Sequence, residues 1–190
     1  VYREDPSVNA LEERAAELLG KEAGLFVTSG TQGNLVAQLA HLRRGDETIA
    51  GEDTHIIVDE AGGHAALVRT TVFPIPEDPD GTLPLDRVRA AFRDGDIHGP
   101  LTGMVALENT HAMSNAQPLS RAYTDAIGEL AHERGVPLHV DGARFFNAAV
   151  ALGERPADLA ASADSLTFCL SKGLACPVGS TVVGDREFIR

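Results

Sequence analysis

The sequence predicts an α/β fold: a mostly parallel sheet covered by helices on both faces, in three layers. Three observations carry this. Short apolar or β-branched runs alternate with helical stripes of roughly 10–15 residues, the pattern of parallel strands joined by crossover helices. Several runs end on polar clusters, and in such sheets ligands sit beyond the carboxyl ends of strands. Finally, 190 residues with 43% hydrophobic and 23% charged side chains suit one folded domain with a sizeable core.

The elements follow in order. Asp5-Pro6 opens a helix as cap and first-turn proline, and Val8, Leu11, Ala15, Leu18 and Leu19 share a face. Gly24 to Val27 reads as a short buried strand running into Thr28-Ser-Gly-Thr31. Leu35, Leu39 and Leu42 then stripe a helix that Gly45 closes. Glu47 to Gly51, Ile56 to Asp59 and Thr71 to Ile75 read as strands. Pro79-Asp-Gly81 marks a hairpin turn, followed by a helix on Leu85, Val88 and Phe92. Leu101 to Leu107 is an apolar strand ending at Glu108-Asn-Thr-His111. Ser120 to Arg134 is a helix striped by Tyr123, Ile127 and Leu130. Pro137 to Val140 is a strand ending at Asp141, with a helix beginning near Arg144. Ser165 to Leu170 and Ser180 to Val183 are the last strands.

Charge and composition narrow the function classes. Twenty-eight acidic against 16 basic residues give a net charge of -12, without a basic stripe for nucleic acid or an anionic membrane. No apolar run approaches the roughly 20 residues that span a bilayer. There is no secretory leader pattern, and Cys169 and Cys176 read as reduced and structural, so the expected location is cytoplasmic. The chain opens without Met and stops inside what reads as an element, Arg186 to Arg190, so a fragment of a longer protein is expected.

Four polar clusters carry chemistry. Only two lysines occur, Lys21 and Lys172. Lys172 lies between Phe-Cys-Leu-Ser and Gly-Leu-Ala-Cys-Pro, where partial desolvation favours the free amine as a nucleophile; a lysine snorkelling from a strand end is the other reading. Asp141, followed by Gly-Ala-Arg144, is placed either to pair with a cationic ring nitrogen or to cap the next helix. The Arg144 fork suits a carboxylate. Thr28-Ser29-Gly30-Thr31, between a strand and a helix, offers N–H groups and hydroxyls for a phosphate, although it matches neither glycine-rich nucleotide fingerprint. Of the seven histidines, His55 and His111 flank strand-like runs and suit ring stacking or proton transfer; His41, His64, His98, His132 and His139 read as surface or ordinary core. There is no H-E-x-x-H zinc site, and Glu77 to Gly81 lacks calcium-loop spacing.

Taken together, Ser171-Lys-Gly-Leu-Ala-Cys-Pro-Val-Gly-Ser180, His139-Val-Asp-Gly-Ala-Arg144, Glu108-Asn-Thr-His111, Thr28-Ser-Gly-Thr31, His55-Ile with Glu60-Ala-Gly-Gly63, and Val1-Tyr-Arg-Glu-Asp-Pro-Ser-Val-Asn9 resemble low-specificity L-threonine aldolase, of the β-eliminating lyase group of fold-type I pyridoxal phosphate enzymes. The resemblance implies that residues 1–190 are the large, cofactor-binding domain, incomplete at its N-terminus and without the C-terminal small domain. It implies a lyase cleaving threonine and related β-hydroxy amino acids to glycine and an aldehyde, active as a homodimer or homotetramer.

In that reading pyridoxal 5'-phosphate forms a Schiff base with Lys172, and Asp141 holds the ring nitrogen protonated. Ser29, Gly30 and Thr31 seat the phosphate. His55 stacks on the ring and, like His111, is a candidate base. Arg144 contacts both cofactor and substrate, Tyr2 contacts substrate, and no metal takes part. Arg3 stands where the family usually has Gly, Ala112 where Asn is common, and the loop from Met113 to Gln117 is unusual. Another β-eliminating enzyme of the same group, or a cofactor-binding domain without turnover, shares these residues.

Overall fold

The structure, a computed structural model, describes residues 3–93 and 95–190. Seven strands form one sheet in the order β1-β7-β6-β5-β4-β2-β3. They are β1 (Ala23–Val27), β2 (Glu47–Gly51), β3 (Thr71–Ile75), β4 (Thr102–Glu108), β5 (Leu138–Asp141), β6 (Ser165–Cys169) and β7 (Ser180–Gly184). The β3-β2-β4-β5-β6 run is parallel throughout, while β7 lies antiparallel between β6 and β1. A mostly parallel sheet is therefore observed, with one reversed strand.

Helices α1 (Pro6–Leu19), α2 (Gly30–His41), α3 (His55–Val58), α4 (Leu85–Ala91), α5 (Arg121–Glu133), α6 (Phe145–Leu152) and α7 (Pro156–Leu159) cover both faces. Two separate apolar cores prove the three layers. One joins Leu19, Val88, Ile127, Phe145 and Leu159 to Val105, Leu107, Leu138, Val140, Leu166 and Phe168 of the sheet. The other joins Leu42, Ile56 and Val68 to Ala50, Met104 and Ala106, with Leu35 packed against it. Because strand side chains alternate faces, His139, Asp141, Ser165 and Thr167 point toward the α2 side. No helix among the described residues is long and apolar enough to cross a membrane.

Asp5 caps α1 as the sequence predicts, accepting from the N–H groups of Ser7 and Val8, and Ser120 caps α5, accepting from Tyr123 N–H. Other expectations fail for identifiable reasons. Ile56 to Asp59 is not a strand: His55–Val58 forms a single helical turn, too short for periodicity to tell from a strand. A π-helical turn at His64–Val68 and α7 have no signal of that length either. Helix α2 ends at His41, before Gly45.

Its buried face is Gly33, Asn34, Ala37 and Gln38, and Leu39 is 54% exposed, so the leucine stripe does not face the sheet. Close approach to β6 and β7 requires small side chains there: a Cβ on Gly33 would collide with Thr167 Cγ2 and reach Val182 Cγ2 at 3.2 Å. The turn at Pro79 to Gly81 links β3 to α4 rather than two paired strands. Residues 186–189 form turns, not a regular element. Both cysteines are free, but Cys176 is exposed rather than in apolar surroundings. Arg3, which departs from the family's Gly, holds a left-handed φ of 59°.

Candidate functional site

The parallel strands bring their carboxyl ends to one edge of the sheet. Glu108 and Asp141 are paired across β4 and β5, and Asp141 is level with Thr167. Reversal of β7 brings its first residue, Ser180, level with Val27 and Cys169. Above this edge opens a cleft of about 380 Å3, lined by Thr28 to Thr31, Asn34, His55, Asp141, Ala143, Cys169, Ser171, Lys172 and residues 177–179. Its size is that of a small-molecule site. The structure thus places Ser29, Gly30, Thr31, His55, Asp141 and Lys172 around one space.

Each side chain is positioned by an identifiable local device. Ser29 is the N-cap of α2 and accepts from Gln32 N–H at 3.1 Å, while Thr28 N–H and hydroxyl both donate to Gln32 Oε1. The first-turn N–H groups of Gly30 and Thr31 have no helical acceptor and, with the dipole, present positive potential to the cleft. A Cβ on Gly30 would come 2.9 Å from Cys169 Sγ, so glycine keeps the floor of this seat open.

Asp141 does not cap the following helix, whose N-cap is Arg144. Its Oδ1 accepts from Ala143 N–H at 3.2 Å and its Oδ2 from the Asn34 amide at 2.7 Å. Lys172 is half-buried, and its neighbours at 171 and 173–178 are exposed. The lysine therefore sits on an open turn above the cleft, past the apolar strand end that the sequence suggested.

His55 is held at both ends. Its backbone N–H donates to Glu108 Oε2 at 2.8 Å, and its ring Nδ1 lies 3.0 Å from Glu60 Oε1. The Glu60 carboxylate, buried at 4% exposure, is the main reason the imidazole pKa is raised above the ordinary histidine value. Hydrogen bonding of Nδ1 to a carboxylate leaves Nε2 as the nitrogen able to take a proton. Burial, with Asp141 nearby, raises the Glu108 carboxyl. The ligand atoms of His55, Glu60 and Asp141 lie within 4.8 Å of one another. An amide N–H end of Asn34 points at both carboxylates, so the cluster is knit by hydrogen bonds.

His111 and Arg144 do not line this cleft. His111 is buried behind it, with Nδ1 3.0 Å from Ser114 Oγ and Nε2 3.3 Å from Glu77 Oε1; Glu77 holds its pKa above the ordinary value. Arg144 borders the adjoining small cavity with Phe146, Asn147, Gly173 and Leu174. Tyr2 lies outside the described residues.

Asn34, Glu60, Glu108 and His139 were given no role from sequence. One signal was available: His139 and Asp141 stand two apart in a strand, so a polar pair shares the face that α2 covers.

The sequence model of the beta-eliminating lyase family matches residues 1–190. The chain is 50% identical over 190 residues to the low specificity L-threonine aldolase of Escherichia coli K12, covering all of this chain and 56% of that protein. It is 47% identical over 188 residues to low-specificity L-threonine aldolase 1 of Arabidopsis thaliana, covering 97% and 52% respectively. The crystal structure of Leishmania major threonine aldolase superimposes with a TM-score of 0.80 at 25% identity, over 92% of this chain and 51% of that one. The chain thus spans about half the length of the relatives it matches. With the family's model matched along residues 1–190 and half the residues shared with a curated member, the chain belongs to the beta-eliminating lyase family.

Proposed function

We propose that this chain is the cofactor-bearing part of a pyridoxal-phosphate-dependent aldolase that cleaves L-threonine, L-allo-threonine and related β-hydroxy-α-amino acids to glycine and an aldehyde. The single observation that carries the proposal is the shared cleft: an amine, a carboxylate, an imidazole and a helix N-terminus converge on one space. The donor set fits the cofactor, and the missing Cβ of Gly30 leaves room at the phosphate end.

In this reading Lys172 is the attachment point, and Gly30, Thr31 and Ser29 hold the phosphate with N–H and hydroxyl donors. Asp141, held by hydrogen bonds from Ala143 N–H and the Asn34 amide, would pair with the ring nitrogen. When bound, pyridoxal phosphate supplies the electron sink for the Cα–Cβ bond that breaks. His55 would stack on the ring, and its Nε2, freed by the Glu60 contact at Nδ1, would take the β-hydroxyl proton directly or through one water. Arg144, which borders the adjoining cavity, would be the partner of a substrate carboxylate in the same reading. Assembly of the full protein as a homodimer or homotetramer belongs to the same proposal.

The test uses the full-length protein with pyridoxal phosphate. Borohydride reduction and peptide mapping should place the pyridoxyl group on Lys172, and label on Lys21 would refute the assignment. Glycine and acetaldehyde should form from threonine. Ammonia release without glycine would instead indicate elimination at Cβ.

A further inference from the structure

Behind the cleft, an unbroken line of buried polar groups runs from Asp141 across the sheet to the end of α2. The Asn34 amide lies 2.7 Å from Asp141 Oδ2 and 2.8 Å from Glu60 Oε1. Its Oδ1 is 3.2 Å from His139 Nε2, and His139 Nδ1 is 2.8 Å from Ser165 Oγ. Ser165 Oγ is in turn 2.8 Å from His41 Nε2, and the His41 ring stacks on Phe188 with centroids 4.5 Å apart. Asn34, His139 and Ser165 are at most 1% exposed.

Every proton on this line has a determined place. The Asn34 NH2 donates to Asp141 Oδ2 and Glu60 Oε1, so its carbonyl faces His139. A carbonyl accepts only, so His139 Nε2 carries the ring proton. Complete burial pushes the His139 imidazole down to about 3, and the ring is neutral with Nδ1 as an acceptor. The Ser165 hydroxyl therefore donates to Nδ1, and its oxygen accepts from His41 Nε2–H. A flipped amide would set two donors against each other at 3.2 Å and its carbonyl against the Asp141 and Glu60 oxygens at 2.7 and 2.8 Å. Asn34 is thus held with both N–H dipoles aimed at the Asp141 and Glu60 carboxyl groups.

We infer that Asn34 is a positioning residue for the cofactor's ring nitrogen: its locked amide bridges Asp141 and Glu60, fixing the first toward the ring and the second toward His55. The inference rests on the reading of Asp141 given above. Asn34 borders the cleft, and the role inferred for it is exerted through the two carboxylates. The ionisable groups facing the bridge are Glu60 and His55 around α3, Glu108 on β4, and Asp141 and His139 on β5. Gly33, one residue earlier, lets α2 come close enough for the amide to reach.

The distinguishing measurement is the preference of the full-length protein for pyridoxal phosphate over its analogue with carbon in place of the ring nitrogen. Dissociation constants come from fluorescence titration of the apoprotein. Wild type should bind pyridoxal phosphate more tightly, because only that ring presents a proton to Asp141. In Asn34→Ala the preference should fall by about 10- to 100-fold, the worth of a hydrogen bond to a charged group, with little change in affinity for the analogue.

Asn34→Asp, which keeps the volume and reverses the polarity, should do the same and serves if the alanine variant does not fold. Gln38→Ala, one helical turn on and equally buried, should retain the wild-type preference. An unchanged preference in a folded Asn34 variant overturns the inference, as does an equal loss in Gln38→Ala, which would indicate a general disturbance of α2. Absence of any preference in wild type would instead refute the role of Asp141.

Discussion

Gly33→Ala is a single-methyl test of how the site is assembled. The added Cβ would meet the Thr167 Cγ2 methyl well inside van der Waals contact, with Thr167 Oγ1 at 3.1 Å and Val182 Cγ2 at 3.2 Å. Both neighbours are β-branched, fully or almost fully buried, and on central strands, so neither can swing away cheaply. Restoring ordinary carbon contacts of about 3.5–4.0 Å requires α2 to retreat by about 1 Å.

Overpacking of this kind costs about 1–3 kcal/mol, and replacing glycine within a helix returns up to about 1 kcal/mol. The expected net loss is therefore about 1–2 kcal/mol, a fall of a few degrees in Tm at about 2–4 °C per kcal/mol. The same retreat would carry the 2.7 and 2.8 Å Asn34 bonds out of hydrogen-bonding range. Calorimetry and cofactor titration on the full-length protein should show both effects together. Unchanged Tm and unchanged pyridoxal phosphate affinity would refute the close packing of α2 as the cause of the site's geometry.

Other perturbations read out the electrostatics. His55 must be neutral to take a proton, and its raised pKa places the acid limb of kcat/KM above the ordinary value of about 6.5. Glu60→Gln removes the chief cause, so the limb should move down toward that value, and an unmoved limb would show that His55 is not the base. His139 is neutral when folded and takes a proton at about 6.5 when unfolded, so below that pH the unfolded state binds the extra proton and is favoured. Stability should fall by up to about 1.4 kcal/mol per pH unit from there down to about 3, and a flat denaturant midpoint over that window would contradict the buried neutral ring. Asp141→Ala should retain covalent cofactor yet lose several orders of magnitude in turnover, each tenfold being about 1.4 kcal/mol at the transition state; near-native rates in that variant would refute its role.

Much of this was legible along the chain because it is local. Asp5, Ser29 and Ser120 cap their helices through bonds spanning two or three residues, which depend on nothing distant. Polar residues at strand ends announced the cleft, since a parallel sheet brings such ends to one edge. The leucines of α2 misled for an equally physical reason. Leu35 and Leu42 belong to the smaller core beside the π-helical turn, while the face against the sheet is built of small and polar residues, a pattern that hydrophobic periodicity scores as solvent-facing.

The sequence by itself determined the alternation of strands and helices, their caps, and the candidate cofactor residues at the strand ends, because each depends on neighbours within a few positions. Only the tertiary structure decided which of those residues meet. Asn34 reaches Asp141 across 107 positions and His139 across 105, contacts that exist because α2 packs closely onto β6 and β7 at Gly33, beside β5. It also set His111 against Glu77 behind the cleft wall, and gave His139, otherwise an ordinary strand residue, a single tautomer. Long-range packing and the need to satisfy every buried polar group settle such matters, and neither leaves a periodic trace in the chain.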